Sequence, residues 1–159
     1  MKAIFKFKSK PVSINNFYYA NKAHGIRTEA KEWQSDLFIE LAKNVNKEII
    51  TNLKAKFDPK IHGYKFVITY HAPASTYYNK KGELSSRQID LSNCEKSLID
   101  VFMLPKYNGV YGACNLDMDD KWLIELSSKK LISADEFYYT TVLIEIISLP
   151  KVIQIPKLD

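Results

Sequence analysis

Segments in which apolar and polar residues alternate predict the strands of this 159-residue chain. The last of these segments is rich in β-branched and aromatic residues, which favours a strand in the middle of a sheet. A short turn separates the third segment from the fourth, so we expect these two to form an antiparallel, hairpin-like pair. The four segments lie at residues 3–7, 64–71, 122–132 and 137–148.

Two other segments repeat their apolar residues at helical spacing. Residues 28–56 are predicted to form the first helix, which Asn44 and Asn46 could break or end early. The second begins near Asp90. The element order is strand, helix, strand, helix, strand, strand. It predicts an α+β fold: a single mixed sheet of about four strands with two main helices packed against it, in one domain over residues 1–159. The apolar repeat of the first helix consists of Trp33, Leu37, Leu41 and Val45.

The charge balance is basic, with a formal net charge of +5. It favours a polyanionic partner only weakly, because many basic proteins bind no nucleic acid. Cys94 and Cys114 lack metal-ligand spacing and suit a reducing cytosol. The N-terminus has no apolar core of a signal peptide, and no apolar run is long enough to cross a bilayer. We therefore expect a cytoplasmic protein without a membrane partner.

Polar residues recur on one side of the second helix and again before the third strand. Asn93 and Asp100 are two turns apart, and Lys96 lies one turn from each. Clustered carboxylates repel one another unless a cation lies between them, and hard oxygen ligands suit Mg²⁺. Aspartate also favours turns and helix caps, so composition leaves both explanations open. The carboxylates concerned are Asp90, Asp100, Asp117, Asp119 and Asp120.

The sequence contains no motif for other common kinds of catalytic or binding site. There is no phosphate-binding GxxxxGK[ST] loop and no GxGxxG motif. The three histidines, His24, His62 and His71, show no zinc spacing. Neither cysteine has the surroundings of a nucleophile.

The second helix resembles the core motif of the RusA-type Holliday-junction resolvases of bacteria and their phages. That motif is Asp-x-Asp-Asn-x-x-Lys with a further Asp four residues after the Lys. This chain has Asp90, Ser92, Asn93, Lys96 and Asp100 at those positions. The family also has an Asp-Asp pair directly before a strand and a basic residue on that strand. In this chain, Asp119 and Asp120 correspond to the pair, and Lys129 and Lys130 to the basic residue. A loop similar to the family's N-terminal loop contains Ser13, Asn15, Asn16, Tyr18 and Tyr19.

The resemblance implies a dimeric, Mg²⁺-dependent endonuclease that nicks symmetric strands of a four-way DNA junction in recombination and repair. Mn²⁺ is expected to substitute for Mg²⁺. Asp90 and Asp120 correspond to catalytic metal ligands and Lys96 to the catalytic lysine. Asp119 and Asp100 match motif positions and are further candidate ligands.

Phosphate contacts are expected from basic residues in loops and strands near this motif. The apolar strands at residues 122–132 and 137–148 are candidates for a homodimer interface. The predicted DNA-binding residues are Asn16, Tyr18, Lys22, Arg27, Lys80, Lys81, Arg87, Asn93, Lys129 and Lys130.

The chain departs from the family motif at Ser92, where the family usually has a second catalytic aspartate. A hydroxyl is a poorer Mg²⁺ ligand than a carboxylate. The sequence therefore leaves open a catalytically weak or inactive relative that binds branched DNA. It also leaves open a nuclease for flaps or forks.

Overall fold

The computed structural model describes residues 1–8, 10–12, 28–85, 91–103, 106–107, 110–111 and 120–151. A short 3₁₀ helix, Asp120–Trp122, immediately precedes the fifth strand. The other elements of the described chain are β1 Lys2–Phe7, α1 Thr28–Leu41, α2 Asn44–Lys56, β2 His62–Pro73, α3 Ala74–Tyr77, α4 Leu91–Met103, β3 Lys106–Tyr107, β4 Val110–Tyr111, β5 Leu123–Ser133 and β6 Tyr139–Ser148.

Four strands form one mixed sheet in the order β1-β6-β2-β5. β6 pairs antiparallel with both β1 and β2, whereas β5 pairs parallel with β2. The parallel pair requires a crossover connection, which contains α4. β3 and β4 form a separate two-stranded sheet. The predicted α+β class, with a mixed four-stranded sheet and packed helices, is confirmed.

The central position predicted for the last strand is correct, but the predicted hairpin between the last two strands is wrong. β2 lies between β5 and β6. Val142 and Ile144 of β6 are fully buried, as expected for a strand with a neighbour on each side. Residues 127–130 of β5 read SSKK, which suits the sheet edge, where polar and charged side chains discourage further strand pairing.

The first predicted helix is divided into α1 and α2. The Asn46 side chain donates from Nδ2 to the Glu40 carbonyl (2.8 Å), so it satisfies a backbone acceptor near the end of α1. Trp33, Leu37 and Leu41 of the predicted repeat are buried. Val45 is 62% exposed, because the chain changes direction before it, and its predicted burial is wrong.

One hydrophobic core lies between the helices and one face of the sheet. Phe102 of α4 is at its centre, with ring centroids 5.4 Å from Phe5, 6.0 Å from Phe7 and 5.7 Å from Phe66. It therefore joins α4 to two strands. No helix in the described part of the chain is both long and apolar enough to cross a membrane.

Candidate functional site

The polar side of α4 carries an ion pair between two motif residues. Lys96 Nζ donates to Asp100 Oδ1 at 2.8 Å, one helical turn away. The Lys96 side chain is half-exposed and Asp100 is partly buried. Both lie opposite the buried Cys94, Leu98 and Phe102. A carboxylate and an ammonium group are thus paired at the surface of the helix.

α4 runs back from the end of β2 towards the start of β5. Glu95 near its beginning reaches Ser128 of β5, and Phe102 near its end packs on Phe66 of β2, whose partner on β5 is two residues before Ser128. The 3₁₀ helix that begins at Asp120 contacts both α4 and β2. Since it precedes β5, it lies nearer to Asp100 than to the start of α4.

Gly63 at the start of β2 permits the close approach of this 3₁₀ helix. A Cβ atom at Gly63 would overlap the side chain of Ile124 and lie 3.2 Å from the Trp122 carbonyl oxygen. Trp122 also packs edge-on against Phe57, with the ring centroids 6.0 Å apart. These contacts fix the segment that begins with Asp120 against the sheet.

A second polar group lies beneath α4, and the sequence motifs did not identify it. Ser128 Oγ donates to Glu95 Oε1. Tyr70 is fully buried nearby, and its hydroxyl has no hydrogen-bond partner among the described residues. Burial raises the pKa of Tyr70, and the proximity of Cys94 and Glu95 raises it further. Alternation along β5 directs Ser128 towards the helices. In the sequence, this was the only indication that a helix residue such as Glu95 would contact Ser128.

The Tyr70 hydroxyl gives a direct test of this buried environment. A buried hydroxyl without a partner costs about 1–3 kcal/mol. Tyr70→Phe is therefore expected to leave the free energy of unfolding unchanged or to raise it by up to about that amount. Tyr139→Phe removes a hydroxyl that donates to Asp135 Oδ2 at 3.0 Å. This control should lower stability slightly, because the hydrogen bond it removes is exposed to solvent.

Urea unfolding followed by circular dichroism compares the two tyrosine variants. A loss of more than about 1 kcal/mol for Tyr70→Phe would contradict an unpartnered hydroxyl, because a typical net hydrogen bond contributes that much. It would indicate that the hydroxyl has a hydrogen-bond partner in the folded protein.

Lys80 and Lys81, two of the predicted DNA-binding residues, lie in a tight, exposed turn. Asn79 Oδ1 accepts from the Lys81 and Glu83 backbone amides at 2.8 and 3.0 Å. Gly82 has a φ of 77°, a conformation that glycine adopts without strain. The turn presents both lysines to solvent beside an open cavity of about 840 Å³ that Lys80 helps to line.

The adjacent Lys129 and Lys130 point to opposite faces of the sheet. Ser128 is directed at α4, so strand alternation sends Lys129 to the other face and Lys130 to the helix side. Lys129 is exposed, whereas Lys130 is partly buried. The two lysines therefore cannot both contact DNA bound to one face of the sheet.

Several predicted site residues lie outside the described residues or are described only as backbone. Ser92 and Asn93 lie in the first turn of α4, and Asp120 opens the 3₁₀ helix. Among the described residues, no three His, Cys, Asp or Glu side chains form a group that could hold a metal ion. The residues outside are Asn16, Tyr18, Lys22, Arg27, Arg87, Asp90 and Asp119.

A comparison with models of known protein families found no match, and a comparison with curated proteins found none either. The similarity to RusA-type resolvases therefore rests on the spacing of the motif residues alone and stays a prediction.

Proposed function

We propose that this protein is a Mg²⁺-dependent, structure-specific endonuclease that resolves four-way DNA junctions by symmetric nicking. The contact between α4 and the 3₁₀ helix carries the proposal. It joins the two segments that contain the Lys96–Asp100 pair and Asp120, the residues whose spacing resembles the resolvase motif.

In this proposal, carboxylates of the two motif segments hold the magnesium ion. Asp100 and Asp120 offer carboxylate oxygens, the hard ligands that Mg²⁺ prefers. Asp119 and Asp90, which directly precede Asp120 and α4 in the chain, are the other candidate ligands. Mg²⁺ bound here would activate water and stabilise the leaving oxygen of the phosphodiester; Mn²⁺ is expected to substitute.

Lys96 has a separate role in the proposal. Its ammonium group already lies beside a motif carboxylate, 2.8 Å from Asp100 Oδ1. From this position it neutralises charge on the scissile phosphate, which lowers the cost of charge that develops during hydrolysis. Lys96→Met should therefore reduce cleavage more than it reduces junction binding.

Paired nicks on a four-way junction require two active sites related by two-fold symmetry. A homodimer supplies them through an isologous interface. Analytical ultracentrifugation at micromolar concentration is expected to give a dimer. A strict monomer with and without junction DNA would contradict symmetric cleavage by a single particle.

The proposal is tested with matched linear duplex, flap and four-way junction substrates, each in Mg²⁺, Mn²⁺ and EDTA. We expect nicking of the junction with either metal and none in EDTA. Faster cleavage of the flap would assign the protein to other branched DNA. Junction binding without cleavage in either metal would support the alternative, a catalytically weak or inactive relative that binds branched DNA.

Ser92→Asp distinguishes two locations for the metal. Ser92 lies in the first turn of α4, whereas the proposed pair of Asp100 and Asp120 belongs to the later part of the helix and the 3₁₀ helix. We expect the Mg²⁺ concentration for half-maximal cleavage to stay within about twofold of the native value, because an added carboxylate affects metal binding mainly by direct ligation. A clear fall would move the site to Asp90, which precedes α4 in the chain.

A further inference from the structure

Lys129, one of the predicted DNA-binding residues, lies on the face of the sheet opposite the core. In β1, Lys6 lies between the buried Phe5 and Phe7, so its side chain points away from the core. The same alternation sends His71 of β2 to this side, which we call the open face.

The strand register arranges the open face in rows that cross all four strands. One row reads Lys2, Glu145, Lys65, Glu125 from β1 to β5. The next consists of Ile4, Leu143, Val67 and Ser127, and the third of Lys6, Thr141, Thr69 and Lys129. The fourth contains Tyr139, His71 and Leu131.

Charge is distributed unevenly among these rows. The first row neutralises itself, since Lys2 pairs with Glu145 at 3.3 Å and Lys65 with Glu125 at 2.6 Å. In the third row, a lysine stands at each edge of the sheet with two threonines between them. Neither Lys6 nor Lys129 forms a salt bridge with a described carboxylate. One end of the open face is therefore positive and the other neutral.

Aromatic rings orient the lysines at the positive end. Lys6 Nζ lies 4.4 Å from the Tyr139 ring centroid, and Lys8 Nζ lies 3.7 Å from that of Phe137. Such contacts hold an ammonium group in place at exposed sites. Asp135 and Glu136 are the described carboxylates that directly precede Phe137 in the chain. Asp135 accepts hydrogen bonds from Tyr139 and from the Phe137 amide. The hydrogen bonds of Asp135 therefore come from donors other than these lysines.

The positive end also affects His71. Partial burial lowers the pKa of His71, and the proximity of Lys6 and Lys129 lowers it further. An anion placed between these lysines would oppose their effect on His71.

We propose that the positive end of the open face is a second nucleic-acid-binding surface, on which Lys6, Lys8 and Lys129 contact backbone phosphates. The choice of nucleic acid rests on the proposed function, whereas the surface itself rests on the register and the lysine contacts. The third row spans about 14 Å between its edge strands, from a strand spacing near 4.8 Å. Lysines at both edges of that span suit an extended polyanion better than a single small anion.

The test measures DNA binding in EDTA, where cleavage plays no part. The triple variant Lys6→Gln, Lys8→Gln, Lys129→Gln is compared with the native chain on a four-way junction, a duplex and a single strand across a salt series. Each lost phosphate contact should reduce the log–log salt slope by about 0.9 on duplex DNA and about 0.7 on a single strand. We expect the magnitude of the slope to decrease by about 2 to 3 on the form of DNA that the protein binds best.

The matched control removes charge elsewhere on the surface. Lys31 and Lys47 are exposed on α1 and α2, so Lys31→Gln with Lys47→Gln changes net charge without touching the open face. A slope unchanged in the triple variant overturns the proposal. So does an equal change per lysine in the control, which would indicate a general charge effect.

Four further readouts separate this inference from other occupants and from the proposed function. On DNA addition, the His71 pKa measured by NMR should rise in the native protein. Dissociation of a dimer in the triple variant would identify the face as an interface between copies and overturn the proposal. If the triple variant loses more affinity for anionic vesicles than for DNA, the proposal is also overturned. Failure of junction cleavage with Mg²⁺, with the slope effect intact, would reject the endonuclease and leave this surface standing.

Discussion

Asp120→Asn is expected to abolish Mg²⁺-dependent cleavage while leaving junction binding largely intact. Asp120 opens the 3₁₀ helix that contacts α4, so the change removes a proposed ligand at the junction of the two motif segments. Loss of an outer-shell partner of a metal ligand already costs roughly 10- to 100-fold in affinity or activity. Loss of a direct ligand should therefore reduce single-turnover cleavage by at least about 100-fold.

Binding to DNA should survive this substitution because it removes a negative charge. Fewer carboxylates near the phosphates mean less repulsion, so the dissociation constant for the junction is expected to stay equal or fall. Asp36→Asn is the matched control, since Asp36 is exposed on α1, away from the motif. Undiminished cleavage by Asp120→Asn would exclude Asp120 as an essential ligand.

Phe102→Ala is expected to destabilise the protein by about 3–5 kcal/mol, the range for a buried phenylalanine. The ring is fully buried and packs edge-on against Phe5, Phe7 and Phe66. Its loss leaves a cavity between α4 and the sheet that the three aromatic rings cannot fill together. The same change at Phe137, which is 51% exposed, should cost far less.

Denaturant unfolding of the two phenylalanine variants measures this difference directly. Because α4 carries the Lys96–Asp100 pair, the Phe102 variant should also lose cleavage at temperatures where the native chain is active. A cost of less than about 1 kcal/mol would contradict the central position of this ring, since surface substitutions stay within about 0.5 kcal/mol.

Local patterns were sufficient to predict most elements but not every neighbour in the sheet. Alternation in β1, with Phe5 and Phe7 facing inward, and the apolar composition of β6 led to correct strands. The position of β2 between β5 and β6 depends on contacts between residues far apart in the chain. Short connections favour hairpins, and here the parallel pairing of β2 with β5 outweighs that preference.

The candidate site was predictable in its residue types and less so in its arrangement. The spacing of Lys96 and Asp100 placed them one turn apart, and the ion pair confirms that step. Spacing could not reveal that Glu95 reaches Ser128, because this contact depends on how α4 crosses the sheet. Nor could adjacency in sequence show that Lys129 and Lys130 serve different faces; only the strand register fixes that.

The most direct test of the central claim is the position of nicks on an immobile four-way junction with each strand end-labelled in turn. With Mg²⁺ and the native protein, we predict nicks at symmetric positions on two opposite strands, and none on the matched linear duplex or in EDTA. If the protein shifts all of the junction in a binding assay yet nicks no strand with Mg²⁺ or Mn²⁺, the claim of endonuclease activity is contradicted.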